Sequence, residues 1–145
     1  MENNLSNIKA IFLDLDGTIY LGGNLIDGAL EFLERCDSKD ISRFFLSNNS
    51  SKSVSEYVVK LKALGIEVND NEILLSTHDL ISWLNKQGIN ETYLVGTEGM
   101  RSMLEESGVN TQSEKPQYVV LGYDTEINYE KLTKAAIHLH NGIPL

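Results

Sequence analysis

The sequence contains little cysteine, little positive charge and no long apolar run. Its single cysteine, Cys36, cannot form an internal disulfide, and we interpret it as small core filler in a reducing compartment. Lysine and arginine number 12 against 21 aspartates and glutamates, which gives a net charge of −9 and argues against nucleic acid and anionic membranes as partners. No apolar stretch approaches the roughly 20 residues of a membrane span, and the first residues lack the apolar region of a secretory signal. We therefore expect a cytoplasmic protein.

The sequence does contain a regular alternation of predicted strands and helices. Short apolar runs predict strands at residues 8–13, 41–46, 73–75, 92–95 and 118–121. Apolar residues at three- and four-residue steps predict helices between them, one of which starts with a capping box at Ser53 and Glu56 and ends at Gly65. This alternation predicts an α/β fold with a parallel sheet, whose first strand we expect to be covered on both faces.

Two carboxylates, Asp14 and Asp16, stand at the end of the first predicted strand, in the stretch IFLDLDGTIY. Burying an ion costs several kcal/mol, so a pair of them near a buried strand indicates a bound metal ion or chemistry that needs a carboxylate. A solvated turn is the plain alternative. A calcium-binding loop is disfavoured, because the later glutamate and the polar residues that precede such a loop are absent. Gly17 permits a sharp turn directly after Asp16.

A second polar stretch, Ser47-Asn48-Asn49, follows the second predicted strand. Parallel strands end at the same edge of a sheet, so this stretch and the carboxylates are expected to face one crevice, although an ordinary loop is the alternative. Together they suggest phosphoryl transfer. Asp14 would attack phosphorus, and Asp16 would exchange protons with the leaving oxygen and the attacking water. Mg²⁺ would bridge a carboxylate and a phosphate oxygen.

At this point the motifs resemble those of a known family. DLDGT after the first strand and LSNNSSKS after the second are similar to motifs one and two of the haloacid dehalogenase-like phosphatases. The longer string FLDLDGTIYLGG resembles the branch that includes p-nitrophenylphosphatases and phosphoglycolate phosphatases. YLVGTEGMRSMLEESG and YVVLGYDTEINYEKLTKA resemble the α/β cap domain of that branch. The resemblance covers essentially the whole chain.

The resemblance implies a Rossmann-like parallel-sheet core with an inserted α/β cap, the core beginning in residues 1–78 and the cap in residues 79–145. It implies an Mg²⁺-dependent phosphatase that hydrolyses small phosphate monoesters through an aspartyl-phosphate. Asp14 would be the nucleophile and a metal ligand. Asp16 would be the general acid and base and also a metal ligand. The substrate phosphate would be bound by Ser47, Asn48 and Asn49.

One departure from the family pattern concerns residues that the family carries after the cap. A glycine-flanked lysine and a further acidic pair are not found, and we do not count Lys115 as that lysine. We therefore expect both domains to be incomplete in these 145 residues, and the chain alone to be poorly active or inactive.

Several functional alternatives stay open at the level of the sequence. A phosphotransferase or mutase would use the same aspartyl-phosphate, and a catalytically incompetent fragment or a non-enzymatic binding module is a further reading. The expected partner is a small phosphorylated metabolite, with no nucleic acid and no membrane, and a homo-oligomer formed through the cap is left open. Asp124 is read either as a turn-forming residue or as one that faces the substrate.

Overall fold

The computed structural model describes residues 7–145 of the chain. In chain order the elements are β1 (Ala10–Asp14), β2 (Tyr20–Leu21), β3 (Asn24–Leu25), α1 (Ala29–Asp37), β4 (Ser42–Ser47), α2 (Val54–Ala63), a short 3₁₀ helix (Asp70–Glu72), β5 (Ile73–Leu75), α3 (Ser76–Gln87), β6 (Thr92–Val95), α4 (Glu98–Glu106), β7 (Tyr118–Leu121) and α5 (Tyr129–His140). The predicted strands and helices are all present, with ends that differ by a few residues. The small hairpin of β2 and β3 was not predicted.

The chain divides into two compact units. Within the described residues, the first unit runs to Ser47 and also includes Tyr57–Leu74. The second unit comprises Asn48–Glu56 and Leu75–Leu145. The assignment of residues 1–78 to a catalytic core and of residues 79–145 to a cap stays a prediction.

A parallel sheet with the strand order β1-β4-β5 organises the first unit. β1 and β4 run parallel over five residue pairs, from Ala10 opposite Ser42 to Asp14 opposite Leu46. Helix α1 packs against β4 and buries Ala29, Leu33 and Cys36 on its inner face. The mixed α/β architecture with parallel strands is therefore confirmed.

The expectation that β1 is covered on both faces is wrong for the described structure. Leu13 is buried, but Phe12, its neighbour on the opposite face, is 60% exposed and stacks on Phe44 at 5.2 Å between ring centroids. Side chains alternate between the two faces of a strand, and β1 is the outer strand of its sheet. Asp14 is on the exposed face with Phe12, so its carboxylate does not bear the cost of burial that the sequence suggested.

Helix α2 begins and ends as the sequence predicts. The Ser53 amide donates to Glu56 Oε2 at 2.7 Å, and the Glu56 amide donates to Ser53 Oγ at 3.3 Å, which is a capping box. Gly65 follows the helix with a φ of +83°, a conformation that favours glycine. Tyr57 and Leu61 are the buried residues of the helix.

The second unit is built around the parallel pair β6 and β7, in which Thr92 lies opposite Tyr118 and Val95 opposite Leu121. Every residue of β6 is buried. One cluster of buried apolar side chains comprises Leu84, Ile89, Leu94, Met100, Leu104, Val109 and Val120. Within residues 7–145, no helix has the length and apolar character needed to cross a membrane.

Candidate active site

The carboxyl ends of β1 and β4 bring three of the predicted site residues to one edge of the sheet. Asp14 is the last residue of β1 and Ser47 the last residue of β4, and Asp14 lies opposite Leu46 in the strand pairing. Asp14 is exposed, whereas Ser47 is only 6% exposed. An edge of this kind, where parallel strands end, is the usual position of ligands in open α/β sheets.

Asp16 lies in a tight turn that directly follows β1. Gly17 has a φ of +84°, and its amide donates to the Tyr20 carbonyl at 2.7 Å. The Tyr20 amide in turn donates to the Leu15 carbonyl at 3.2 Å. Glycine adopts positive φ without the steric cost that other residues bear, so the prediction of a sharp turn at Gly17 is confirmed. The turn leaves the Asp16 side chain exposed.

The turn also brings the Tyr20 side chain back to Asp16. The Tyr20 hydroxyl donates to Asp16 Oδ2 at 3.2 Å, although the tyrosine itself is 0% exposed. Lys60 of α2 places its Nζ 3.6 Å from the centre of the Tyr20 ring. Burial, together with the negative charge of Asp16, raises the pKa of Tyr20 above its ordinary value. Tyr20 therefore remains a hydroxyl donor throughout the physiological pH range.

Ser47 has a comparable partner in the same unit. Its hydroxyl forms a hydrogen bond of 2.8 Å with the hydroxyl of Tyr57, in which either oxygen can be the donor. Tyr57 is 1% exposed and projects from α2. Two buried tyrosines of the first unit thus contact two of the residues that the sequence assigned to the site.

Asn48 and Asn49 belong to the second unit, where the hydrogen bonds of their segment are local. The Asn48 carbonyl accepts from Ser76 Oγ at 3.2 Å, and Asn49 Oδ1 accepts from the Ser51 amide at 2.9 Å. The Ser51 carbonyl accepts from Thr97 Oγ1 at 2.8 Å. Asn49 therefore shapes the turn that follows β4, and the predicted contact of Asn48 and Asn49 with a substrate phosphate stays a prediction.

Asp14 and Asp16 fit a magnesium ion as a partial ligand set. Mg²⁺ usually takes one or two protein carboxylates and completes its shell with water and substrate phosphate oxygens. Both carboxylates are exposed, and among residues 7–145 neither forms an ion pair with a basic side chain. The same residues contain no group of three or more histidine, cysteine, aspartate or glutamate side chains placed to hold a metal. The described residues therefore supply two carboxylates and no third.

Asp124, which the sequence left open, is held by contacts within the second unit. Its Oδ1 accepts from the Glu126 amide at 2.8 Å, as in a turn-forming aspartate, and its Oδ2 lies 3.0 Å from Lys131 Nζ. The Asp124 side chain is 1% exposed. Lys131 Nζ also donates to the Gly96 carbonyl at 2.9 Å. These contacts favour the structural interpretation of Asp124.

Sequence reasoning missed Tyr20 and Tyr57 as neighbours of the site. Tyr57 falls on the apolar stripe of a predicted helix and was read as core. Tyr20 lies four residues after Asp16, in a stretch read only as a turn. The available signal was chemical, because a buried tyrosine hydroxyl usually finds a hydrogen-bond partner and polar groups were close in sequence.

Comparison with known proteins identifies the family of the chain. Residues 11–110 match the model of a family described as haloacid dehalogenase-like hydrolases. The chain belongs to the haloacid dehalogenase-like hydrolase family. The matched segment includes both polar strand ends, so the motifs that suggested the family in the sequence lie inside it.

Similar proteins in this family carry the names of phosphatases. The chain is 33% identical to an acid sugar phosphatase of Staphylococcus haemolyticus over 140 residues, which are 95% of this chain and 53% of that protein. A solved structure of 4-nitrophenylphosphatase from Thermotoga maritima is 37% identical, with a TM-score of 0.87 over 95% of this chain and 53% of that one. A glycerol phosphate phosphatase from Mycobacterium tuberculosis, solved in complex with magnesium, is 25% identical with a TM-score of 0.82 over 93% of this chain and 42% of that one.

The chain spans about half the length of the relatives it matches. Its likeness to the p-nitrophenylphosphatase branch of the family is confirmed over that half, in sequence and in fold.

Proposed function

We propose that the chain takes part in the magnesium-dependent hydrolysis of small phosphate monoesters through an aspartyl-phosphate. The observation that carries the proposal is the edge of the sheet where Asp14 ends β1, Asp16 follows in a glycine turn and Ser47 ends the adjacent parallel strand. This edge presents two uncompensated carboxylates beside a hydroxyl. The names of the relatives support a phosphatase, but each describes a protein about twice as long.

In the proposed first step, an oxygen of the Asp14 carboxylate attacks the phosphorus of the monoester. The bond from phosphorus to the alkoxide oxygen breaks, and Asp16 gives its proton to that oxygen. The exposure of both side chains lets a substrate reach them. Ser47, which ends β4 beside them, would donate a hydrogen bond to a phosphate oxygen.

In the proposed second step, Asp16 removes a proton from a water molecule that attacks the aspartyl-phosphate. The bond between phosphorus and the Asp14 oxygen breaks, inorganic phosphate leaves, and Asp14 regains its carboxylate. One residue thus acts as acid and then as base, which returns the site to its starting protonation state.

Asp14 and Asp16 are the residues that would hold the metal in this proposal. When bound, Mg²⁺ would offset the repulsion between the anionic nucleophile and the anionic phosphate. Because the described residues offer no third acidic group at that place, we expect weak magnesium binding and slow turnover by these 145 residues alone.

The substrate class we propose is a small phosphorylated metabolite, of the sugar phosphate, phosphoglycolate, nucleotide or p-nitrophenyl phosphate type. The net charge of −9 makes a divalent cation a reasonable intermediary between the protein and an anionic substrate. The names of the relatives, an acid sugar phosphatase and a glycerol phosphate phosphatase, agree with this class.

The test is phosphate release from p-nitrophenyl phosphate with added magnesium, and again with a chelator. We expect slow release that depends on magnesium. Running the reaction in isotope-labelled water with an added alcohol separates the alternatives. Label in the released phosphate indicates a hydrolase, whereas phosphate transferred to the alcohol indicates a phosphotransferase. Release that is unaffected by the chelator would contradict the magnesium requirement.

A further inference from the structure

We propose that Tyr20 is a positioning residue that orients the Asp16 carboxylate for proton transfer, with Lys60 fixing the tyrosine ring. This inference rests on the proposed function, because it assumes that Asp16 exchanges protons during the reaction. All three residues belong to the first unit. Tyr20 itself is buried and so does not touch the substrate.

The geometry of the turn gives Tyr20 this position. The Gly17 amide donates to the Tyr20 carbonyl at 2.7 Å, so the backbone closes a loop that begins and ends beside Asp16. The Tyr20 hydroxyl then donates to Asp16 Oδ2 at 3.2 Å. An exposed aspartate side chain is otherwise free to rotate about its two torsions. A hydrogen bond from a fully buried ring restricts that rotation on the side of the sheet edge.

Lys60 restricts the ring from a second direction. Its Nζ lies 3.6 Å from the ring centre, within the range of a cation–π contact. Lys60 is on α2, the helix that also carries Tyr57, whose hydroxyl contacts Ser47. The same helix thus supports Asp16 through Tyr20 and Ser47 through Tyr57.

A hydroxyl suits this task better than a basic side chain would. Lys131 forms an ion pair with Asp124 at 3.0 Å in the second unit and compensates the charge of that carboxylate. Tyr20 supplies a neutral donor, which orients Asp16 and leaves its charge available. Orientation of a reacting group is worth much in catalysis, since a displacement of about 1 Å can cost roughly a hundredfold in rate.

The plain alternative is that the hydrogen bond only satisfies a buried hydroxyl. In that case the loss of the hydroxyl would change stability and would leave the Asp16 side chain and the reaction as they were. The variant Tyr20→Phe removes the hydroxyl and retains the ring. Tyr93→Phe is the matched control, because Tyr93 is also a buried tyrosine but lies on β6 in the second unit.

The first measurement follows turnover of p-nitrophenyl phosphate by the full chain with magnesium. We expect Tyr20→Phe to lower kcat about tenfold and to leave KM within about twofold, because the lost contact orients a proton donor and does not bind the substrate. Tyr93→Phe should leave both constants unchanged. Equal effects of the two variants on kcat would overturn the inference.

The second measurement does not depend on turnover. The side-chain carboxyl carbons of the aspartates are followed by NMR, assigned through Asp16→Asn and Asp14→Asn. We expect Tyr20→Phe to shift the Asp16 carboxyl resonance more than that of Asp40, an exposed aspartate of the same unit, while Tyr93→Phe shifts neither. An unmoved Asp16 resonance would overturn the positioning role, whether or not the protein is a phosphatase.

Lys60→Gln provides a variant that keeps the tyrosine and removes only the cation. We expect it to change kcat and the Asp16 resonance in the same direction as Tyr20→Phe and by about a third as much. A change in the opposite direction would contradict the part given to Lys60. If the unsubstituted protein releases no phosphate, the proposed function fails and the catalytic part of the inference fails with it. The carboxyl resonance then still decides whether Tyr20 holds Asp16.

Discussion

Asp16 in the first unit and Asp124 in the second each follow a strand of a parallel pair, yet the groups beside them differ. Asp124 is 1% exposed in its side chain and lies 3.0 Å from Lys131 Nζ. Asp16 is exposed and receives a hydrogen bond from the neutral Tyr20 hydroxyl. A carboxylate with a buried basic partner has its charge compensated and contributes to the fold, whereas one with a neutral donor keeps its charge for a ligand. The same residue type thus serves stability in one unit and, in our proposal, chemistry in the other.

The largest expected effect tests the first side of that comparison. Asp14→Asn removes the proposed nucleophile and should reduce phosphate release from p-nitrophenyl phosphate at least ~10³-fold. Because Asp14 is exposed and forms no ion pair among residues 7–145, we expect the free energy of unfolding in urea to stay the same or rise slightly.

Asp40→Asn is the control for that variant. Asp40 is exposed in the same unit and has a φ of +55°, which asparagine also tolerates. It should leave phosphate release unchanged. Release that survives Asp14→Asn at the level of this control would mean that the nucleophile is another residue.

The second prediction addresses the other side of the comparison. Asp124→Ala should lower the free energy of unfolding by about 2–3 kcal/mol, because it leaves the largely buried Lys131 without its carboxylate. Urea denaturation of the full chain measures this change. Adding Lys131→Met to that variant should recover part of the loss, since no unpaired charge then remains. A double variant less stable than Asp124→Ala alone would speak against the ion pair as the cause.

The third prediction concerns the segment that follows Ser47, which packs within the second unit. A Cβ at Gly99 would overlap Glu56 Oε2 and lie 2.8 Å from the Ser53 amide nitrogen. Gly99→Ala should therefore cost about 1–3 kcal/mol of stability, read from the same urea titration.

Gly23→Ala is the matched control for that substitution, because a Cβ there meets nothing within 4 Å. It should change the stability by less than about 0.5 kcal/mol. Equal stability of the two variants would contradict the close packing of Gly99 against the capping box of α2.

The smallest expected effect is a difference at alkaline pH. Burial raises the pKa of Tyr93 above its ordinary value of 10.0. Above about pH 10 the unfolded chain releases this proton while the folded protein keeps it, so stability falls as the pH rises towards the raised folded value.

Tyr93→Phe should remove that part of the decline, up to about 1 kcal/mol per pH unit, with little change at neutral pH. Urea midpoints measured from pH 8 to 11 for both proteins check it. Parallel curves for the two proteins would show that Tyr93 does not titrate differently on folding.

Much of the fold could be predicted because its signals are local. The apolar runs of β1, β4, β6 and β7 and the capping box of α2 lie within a few residues of one another, and all of these elements are present. The hairpin of β2 and β3 was missed because strands of two residues are too short to show an alternating pattern. The exposure of Phe12 was missed because an apolar run does not reveal whether its second face is covered.

The sequence by itself determined the positions of the chemical groups: Asp14 and Asp16 at one strand end, Ser47 at the next, and the family that this spacing indicates. Only the tertiary structure decided their surroundings. It showed the exposed face of Asp14, the buried hydroxyl beside Asp16 and the pairing of Asp124 with Lys131. The physical reason is that a motif fixes which groups are near in the chain, whereas charge compensation and hydrogen bonding depend on groups that folding brings together.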